Sequence, residues 1–125
     1  AILRNHTVHY ESTDKLLKRL KAYRLDARHE QELKRLREVD LLILDDLALR
    51  KMDALETADL YELVSARHQQ GSIIVTSNRD PSEWLDVLGD PLQAQALVDR
   101  FSNNALDLIL EGPSYRRRQK PTPGK

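Results

Sequence analysis

Cysteine is absent from the 125 residues of this chain. The lack of thiols excludes disulfide bonds, thiolate metal sites and cysteine nucleophiles, and it fits a reducing compartment. No apolar run approaches the roughly 18 residues that a bilayer span needs. Residues 1–10 also lack the basic, apolar and small-residue segments of a signal peptide. We therefore expect a cytoplasmic protein without membrane contact.

Charge balances over the whole chain but not along it. Lysine plus arginine and aspartate plus glutamate each number 20. Residues 115–125 nevertheless carry five basic residues and no acid, so the preceding part has a net charge of −5. Pro121 and Pro123 prevent a continuous helix in that segment. Since the length suits one compact domain, we predict a domain over residues 1–114 and a flexible basic tail over 115–125.

Short strand-like runs alternate with helical patterns. Val39 to Leu44 is a nearly continuous apolar run, too short for a helix and typical of a strand that is buried on both faces, and Ser72 to Ser77 is a β-branched segment that we expect to form a second buried strand. Thr7 to Tyr10 and Ala105 to Leu110 are further strand candidates. Strands that alternate with helices predict an α/β fold with a mainly parallel sheet.

Helix-start signals precede the intervening segments. Thr13 is placed to cap an amphipathic helix, and Asp53 and Glu56 have the spacing of a capping box. Asp80-Pro81 and Asp90-Pro91 each place a proline at the first position of a predicted helix.

Two of the predicted strands end in polar side chains. Asp45 and Asp46 follow the first apolar run, and Asn78-Arg79 follows the second. Ligands of open parallel sheets bind at the carboxyl ends of the strands. An apolar strand that ends in two acids has the form of a Walker B element, in which hard carboxylate oxygens serve Mg²⁺ and the attacking water. The alternative is that the two acids simply end a strand.

The order of these parts resembles the C-terminal half of the ATPase domain in the IstB-like ATP-binding proteins. These are relatives of the DnaC helicase loaders in the AAA+ class of P-loop NTPases. The resemblance covers Val39 to Lys120, about two thirds of the chain. The segments that carry it are Leu42-Ile43-Leu44-Asp45-Asp46, Tyr61-Glu62-Leu63-Val64, Ile74-Val75-Thr76-Ser77-Asn78-Arg79, Pro81-Ser82-Glu83-Trp84 and Ser114-Tyr115-Arg116.

The resemblance implies roles for single residues. Asp45 would hold Mg²⁺ and Asp46 would orient the attacking water, although many AAA+ proteins have a longer Glu there. Asn78 would sense the γ-phosphate, Arg100 would act as an arginine finger on the ATP of a neighbouring subunit, and Arg116 would reach the phosphates. The alternative for Arg79 and Arg100 is surface solvation or pairing with the adjacent Asp80 and Asp99.

A phosphate-binding loop is missing from the sequence. None of the four glycines stands in a Gly-x-x-x-x-Gly-Lys-Ser/Thr pattern. The resemblance therefore implies that the chain starts just downstream of this loop, as part of a longer Mg²⁺-dependent ATPase. The strand before the loop would lie between the last strand and the Asn78 strand, so the sheet must either expose two edges or close differently. Because the main phosphate donors are absent, we expect no ATP turnover and very weak nucleotide affinity from these residues alone.

A basic helical face is a second candidate binding site. Nine Lys or Arg residues and three acids lie between Lys15 and Arg37. Lys18, Arg19, Lys21 and Arg24 are candidate DNA contacts, because a basic face binds phosphate by charge; the alternative is an ordinary solvated face. The single Trp84 is expected in the core, with base stacking as the alternative.

The favoured hypothesis is therefore the C-terminal part of an AAA+ ATPase that acts on DNA in transposition or replication, as a transposition helper or a helicase loader. Its partners would be DNA, further copies of itself through Arg100, and a transposase or a replicative helicase. The alternative is a catalytically silent remnant that serves as a DNA- or protein-interaction module. A receiver-type phosphotransfer domain fits the order of the lysines and acids poorly.

Overall fold

Parallel strands form one sheet in this computed structural model. The structure describes residues 6–67, 71–102 and 107–110, and for residue 102 and residues 107–110 it describes the backbone alone. The strands are β1 (Val8–Ser12), β2 (Leu41–Asp45), β3 (Ser72–Ser77) and β4 (Asp107–Leu110), in the order β1-β2-β3-β4. The α-helices are α1 (Thr13–Tyr23), α2 (His29–Glu38), α3 (Ala54–Arg67) and α4 (Pro91–Ser102). A 3₁₀ helix, Pro81–Asp86, lies between β3 and α4. The predicted α/β fold with a parallel sheet is thus confirmed.

Local details differ from the sequence predictions. Ser12 caps α1, because its hydroxyl accepts a hydrogen bond from the backbone N–H of Lys15, and the predicted cap Thr13 is the first helical residue. The segment after Asp80 forms a 3₁₀ helix instead of an α-helix. The capping box before α3 is confirmed, because the Asp53 carboxylate accepts from the Glu56 N–H at 2.8 Å and the Glu56 carboxylate accepts from the Asp53 N–H at 3.1 Å. The predicted tail at 115–125 lies outside the described residues. Within the described ranges, no helix is both long and apolar enough to cross a membrane.

The last strand pairs directly with the Asn78 strand. Ile74 to Ser77 of β3 stand in parallel register with Asp107 to Leu110 of β4. The sheet therefore closes by direct pairing of β3 with β4, which is the second of the two arrangements considered for the last strand.

Only one face of the sheet is fully covered. Sequential strands joined by right-handed crossovers place their helices on the same side. Accordingly, Leu42 and Val75 are buried on that side, whereas Ile43 and Ile74 on the other face are only half-buried and Tyr10 is 62% exposed. The prediction that β2 and β3 are buried on both faces is therefore wrong, because the described helices supply one layer.

Trp84 lies in the core, as predicted. Its ring is fully buried and meets Phe101 of α4 edge-on, with 5.5 Å between ring centroids. The indole Nε1 donates a hydrogen bond to the Ser77 hydroxyl at 3.3 Å. The 3₁₀ helix is thereby fastened to the end of β3.

A buried arginine fixes the opposite edge of the sheet. Arg67, at the end of α3, is fully buried, and burial lowers its pKa. Its guanidinium donates to backbone carbonyl oxygens at the end of α2, before β2 and at the start of β3, namely those of Leu36, Arg37, Val39, Asp40 and Ser72. A Cβ at Gly71 would lie 2.7 Å from Arg67 Nη2, so this close approach requires glycine. Arg67 therefore ties the starts of β2 and β3 together.

Candidate nucleotide and nucleic-acid sites

Asp45 is held at both carboxylate oxygens at the carboxyl edge of the sheet. Oδ2 accepts a hydrogen bond from the Tyr10 hydroxyl at 2.7 Å, and Oδ1 accepts one from the Thr76 hydroxyl. The Thr76 bond, followed by the Tyr10 bond, lowers the pKa of Asp45, because hydrogen bonds to a carboxylate favour its ionised form. Asp45 is therefore a fixed anion that is only half-buried.

The turn after β2 is strained and firmly attached to β3. Asp46 and Ala48 have φ angles of 59° and 62°, in the left-handed region that most side chains avoid. The backbone N–H of Asp46 donates to the Thr76 hydroxyl at 3.0 Å, and that of Leu47 donates to the Thr76 carbonyl at 2.8 Å. Arg79 Nε donates to the Ala48 carbonyl at 2.7 Å. These bonds hold the strained backbone that carries Asp46.

Asn78 shares this edge with the acid pair. It directly follows β3, two residues beyond Thr76, and its side chain is exposed. Because β2 and β3 are adjacent and parallel, their ends meet. The structure therefore brings together Asp45, Asp46 and Asn78 as one half-open polar edge.

Arg100 lies apart from this edge. It is in the last turn of α4, which leads back toward the amino edge where β4 begins. Its guanidinium carbon is 6.0 Å from the ring centroid of Tyr61 on α3, at the outer limit of a cation–π contact. The neighbouring Asp99 accepts from Gln95 at 2.9 Å. Arg116 lies outside the described residues.

Each of the four cations proposed for DNA contact is ion-paired within the chain. The pairs are Lys18 with Asp14 at 3.4 Å, Arg19 with Glu11 and with Glu32 at 2.9 Å, Lys21 with Asp53, and Arg24 with Asp59 at 2.6 Å. The Lys18 pair lies within α1, and the other pairs connect α1 and its C-terminal end to β1, α2 and the start of α3. The basic face is therefore also part of the internal packing of the domain.

The pairs differ greatly in burial, and burial decides how firmly each cation is held. Asp59 is fully buried, and its Oδ1 also contacts His29 Nε2 at 2.8 Å. The Arg24 side chain is 35% exposed, but its acid is not, so Arg24 helps to hold the end of α1 against α3. The Lys18 side chain is 60% exposed, and pairs in such positions are weak.

A cleft of about 320 Å³ opens between the end of α1 and α2. It is lined by Tyr23, Arg28, Gln31, Glu32 and Arg35. Arg28 covers the Tyr23 ring, with 4.2 Å from its guanidinium carbon to the ring centroid. The cleft therefore combines an aromatic face with positive charge.

Sequence reasoning missed Tyr10 and Thr76 as neighbours of the acid pair. Tyr10 stands opposite Ile43, two residues before Asp45 on the same face, and Leu44 stands opposite Val75. Side chains of paired residues in parallel strands point to the same face. Tyr10 and Thr76 are visible in the sequence as hydroxyl residues near the ends of predicted strands. Only the register between the strands, however, places these hydroxyls next to Asp45.

The donor set suits a magnesium–nucleotide complex better than a metal cage built by the protein alone. In the described ranges, no three His, Cys, Asp or Glu side chains gather around a metal position. Mg²⁺ is commonly held by one or two carboxylates together with water and substrate phosphates. Ionised Asp45 at an open edge fits such a ligand.

The fold matches part of the solved replication proteins DnaA and DnaC. DnaA from Aquifex aeolicus bound to AMPPCP superimposes with a TM-score of 0.70 and 24% sequence identity, over 85% of this chain and 32% of that one. The DnaC helicase loader gives a TM-score of 0.68 with 17% identity, over 87% of this chain and 63% of that one. The described sheet and helices thus have the arrangement of part of the DnaA and DnaC folds.

The chain belongs to the IstB-like ATP-binding proteins, whose family model matches residues 1–122. A protein from Mycobacterium tuberculosis, named as ATP-binding in an insertion sequence, is 36% identical over 94% of this chain and 47% of its own length. The IS21 ATP-binding relative from Pseudomonas aeruginosa is 31% identical over 99% of this chain and 47% of its own. The chain spans about half the length of these curated relatives.

Proposed function

We propose that this chain is the C-terminal part of an ATPase that acts on DNA for an insertion sequence, as a transposition helper or a helicase loader. The observation that carries this proposal is the meeting of Asp45, Asp46 and Asn78 at one open edge, with Asp45 fixed as an anion. Family membership and the likeness to DnaA and DnaC support the same reading.

In this proposal each of the three side chains has a separate role at the γ-phosphate. Asp45 holds Mg²⁺, which would offset the charge of the phosphates. Asp46 orients the attacking water, and the strained backbone at its Cα sets the direction of its side chain. Asn78 can donate to a phosphate oxygen and accept from the water, because an amide does both.

Arg100 is proposed to serve a neighbouring copy. Arg100 lies away from the Asp45 edge, which suits an arginine finger that completes the ATP site of a neighbouring subunit and not the site of its own subunit.

Arg116 is proposed as a further phosphate contact. The proposed partners are DNA, other copies of the chain, and a transposase or a replicative helicase, in the cytoplasm. DNA is supported by the insertion-sequence relatives and by a DnaA structure that holds single-stranded DNA.

The test is Asp46→Asn in the protein encoded by the complete reading frame that contains this chain. Loss of the water-orienting carboxylate should reduce ATP turnover at least about a hundredfold. Affinity for a fluorescent ATP analogue should remain, since Asp46 does not hold the phosphates. Asp90→Asn is the matched control, because Asp90 caps α4 through Gln93 N–H at 3.0 Å, away from the acid pair. Full turnover in Asp46→Asn would refute the assigned role.

The second candidate is a silent interaction module, which the cleft beside Tyr23, with its aromatic face and positive charge, favours. The 125 residues alone should then bind DNA or protein without binding ATP. Micromolar, stoichiometric ATP binding by the chain itself would exclude this candidate. It would also contradict the expectation that these residues alone bind nucleotide only very weakly.

A further inference from the structure

Asp53 makes two contacts that join α1 to the start of α3. Its Oδ2 pairs with the ammonium of Lys21 in the last turn of α1, and its Oδ1 accepts the backbone N–H of Glu56 at 2.8 Å. The hydrogen bond to Asp53 raises the pKa of Lys21, and the same bond lowers the pKa of Asp53. Both groups are therefore fully charged near neutral pH.

Among the described residues, this pair is one of two exposed links between α1 and its neighbours, and the other, Arg50–Asp14, has its cation outside α1. The Lys21 and Asp53 side chains are 42% and 46% exposed, whereas Asp59, which holds Arg24, is at 0%. Arg19 lies between Glu11 and Glu32, whose side chains are 14% and 13% exposed. Exposed pairs are weak and screened by salt. Lys21 can thus change partner without leaving a buried acid behind, whereas departure of Arg24 would leave the buried Asp59 with His29 alone.

We propose that Asp53 competes with DNA phosphate for Lys21, so that DNA binding opens the Lys21–Asp53 pair while Arg19 and Arg24 keep α1 in place. The proposal rests on the proposed DNA contact of the basic face, and it narrows that contact to the exposed lysines Lys18 and Lys21. Asp53 also ends the loop that begins at Asp46, so the acid released by DNA lies on the loop of the candidate nucleotide site.

The test is Asp53→Asn, which removes the competing charge and retains the helix cap, because Asn caps as well as Asp. Asp90→Asn, which has the same charge change and the same kind of cap at α4, is the control. Binding of a labelled single-stranded oligonucleotide is measured by fluorescence anisotropy at low salt, and Trp84 emission verifies folding. Asp53→Asn should bind about two- to fivefold more tightly than the parent, and Asp90→Asn should match the parent.

A second substitution, Lys21→Gln, distinguishes competition for Lys21 from a simple loss of repulsion between Asp53 and the DNA. Lys21→Gln should weaken DNA binding more in the Asp53→Asn background than in the parent, where Lys21 is partly held by Asp53. Additive effects of the two substitutions, or equal gains from Asp53→Asn and Asp90→Asn, would overturn the competition and leave DNA binding itself standing. If neither the parent nor Asp53→Asn binds DNA at low salt, both the competition and the proposed DNA contact are refuted.

Discussion

Replacing Arg67 by methionine should remove a large share of the stability of this domain. The guanidinium serves five carbonyl oxygens from a fully buried position, and methionine fills similar space without any donor. Hydrogen bonds to a charged group contribute about 1.5–3 kcal/mol each, but carbonyls near the sheet edge would regain water. A net loss of about 3–5 kcal/mol follows, from a total of about 5–15 kcal/mol.

Urea unfolding measures this loss directly, because the single Trp84 is fully buried and reports on the core. With a slope of about 2 kcal/mol per molar urea, the midpoint should fall by about 2 M. Arg50→Met is the matched control, since that side chain is 64% exposed and pairs with Asp14 at 3.3 Å. Its midpoint should fall by less than about 0.5 M. Equal midpoints for Arg67→Met and Arg50→Met would refute the argument that the carbonyl contacts hold β2 and β3.

Two further predictions concern the carboxyl edge and its support. Tyr10→Phe should raise the pKa of Asp45 toward the ordinary value of about 3.9, because one of its two side-chain donors is lost. A lowered pKa stabilises the fold above that ordinary value and loses this effect as pH falls through the folded pKa, so the variant should depend less on pH below about 4. Carboxyl ¹³C NMR checks the shift, and an unchanged titration would contradict it. Gly89→Ala should cost about 1–3 kcal/mol in urea unfolding, since its Cβ would lie 2.5 Å from the backbone carbon of Asp53. A variant as stable as the parent would show that this close approach is dispensable.

Local chemistry made much of the fold predictable. The apolar runs around Ile43 and Ile74 identified the two central strands, because a short run that lacks helical periodicity suits only a strand. The Asp53 capping box and the proline at Pro91 located the helix starts, since caps depend on neighbours along the chain. Order along the chain also sufficed to place Asp45 and Asn78 at one edge, once the strands were parallel.

Other features depended on contacts between distant segments. The cap at Ser12, the 3₁₀ form of Pro81–Asp86 and the half-open sheet face follow from how the elements pack. The basic face looked free in the sequence because its acids, such as Asp53 and Asp59, come from other elements.

The amino-acid sequence by itself determined the alternation of strands and helices, the acid pair at the end of β2 and the amide after β3, because these follow from residue type and spacing. Only the tertiary structure decided which hydroxyls fix Asp45, which carbonyls Arg67 gathers and which cations of α1 are held by buried acids. Strand register and burial determine those hydrogen bonds and ion pairs, and neither can be derived from the local order of residues.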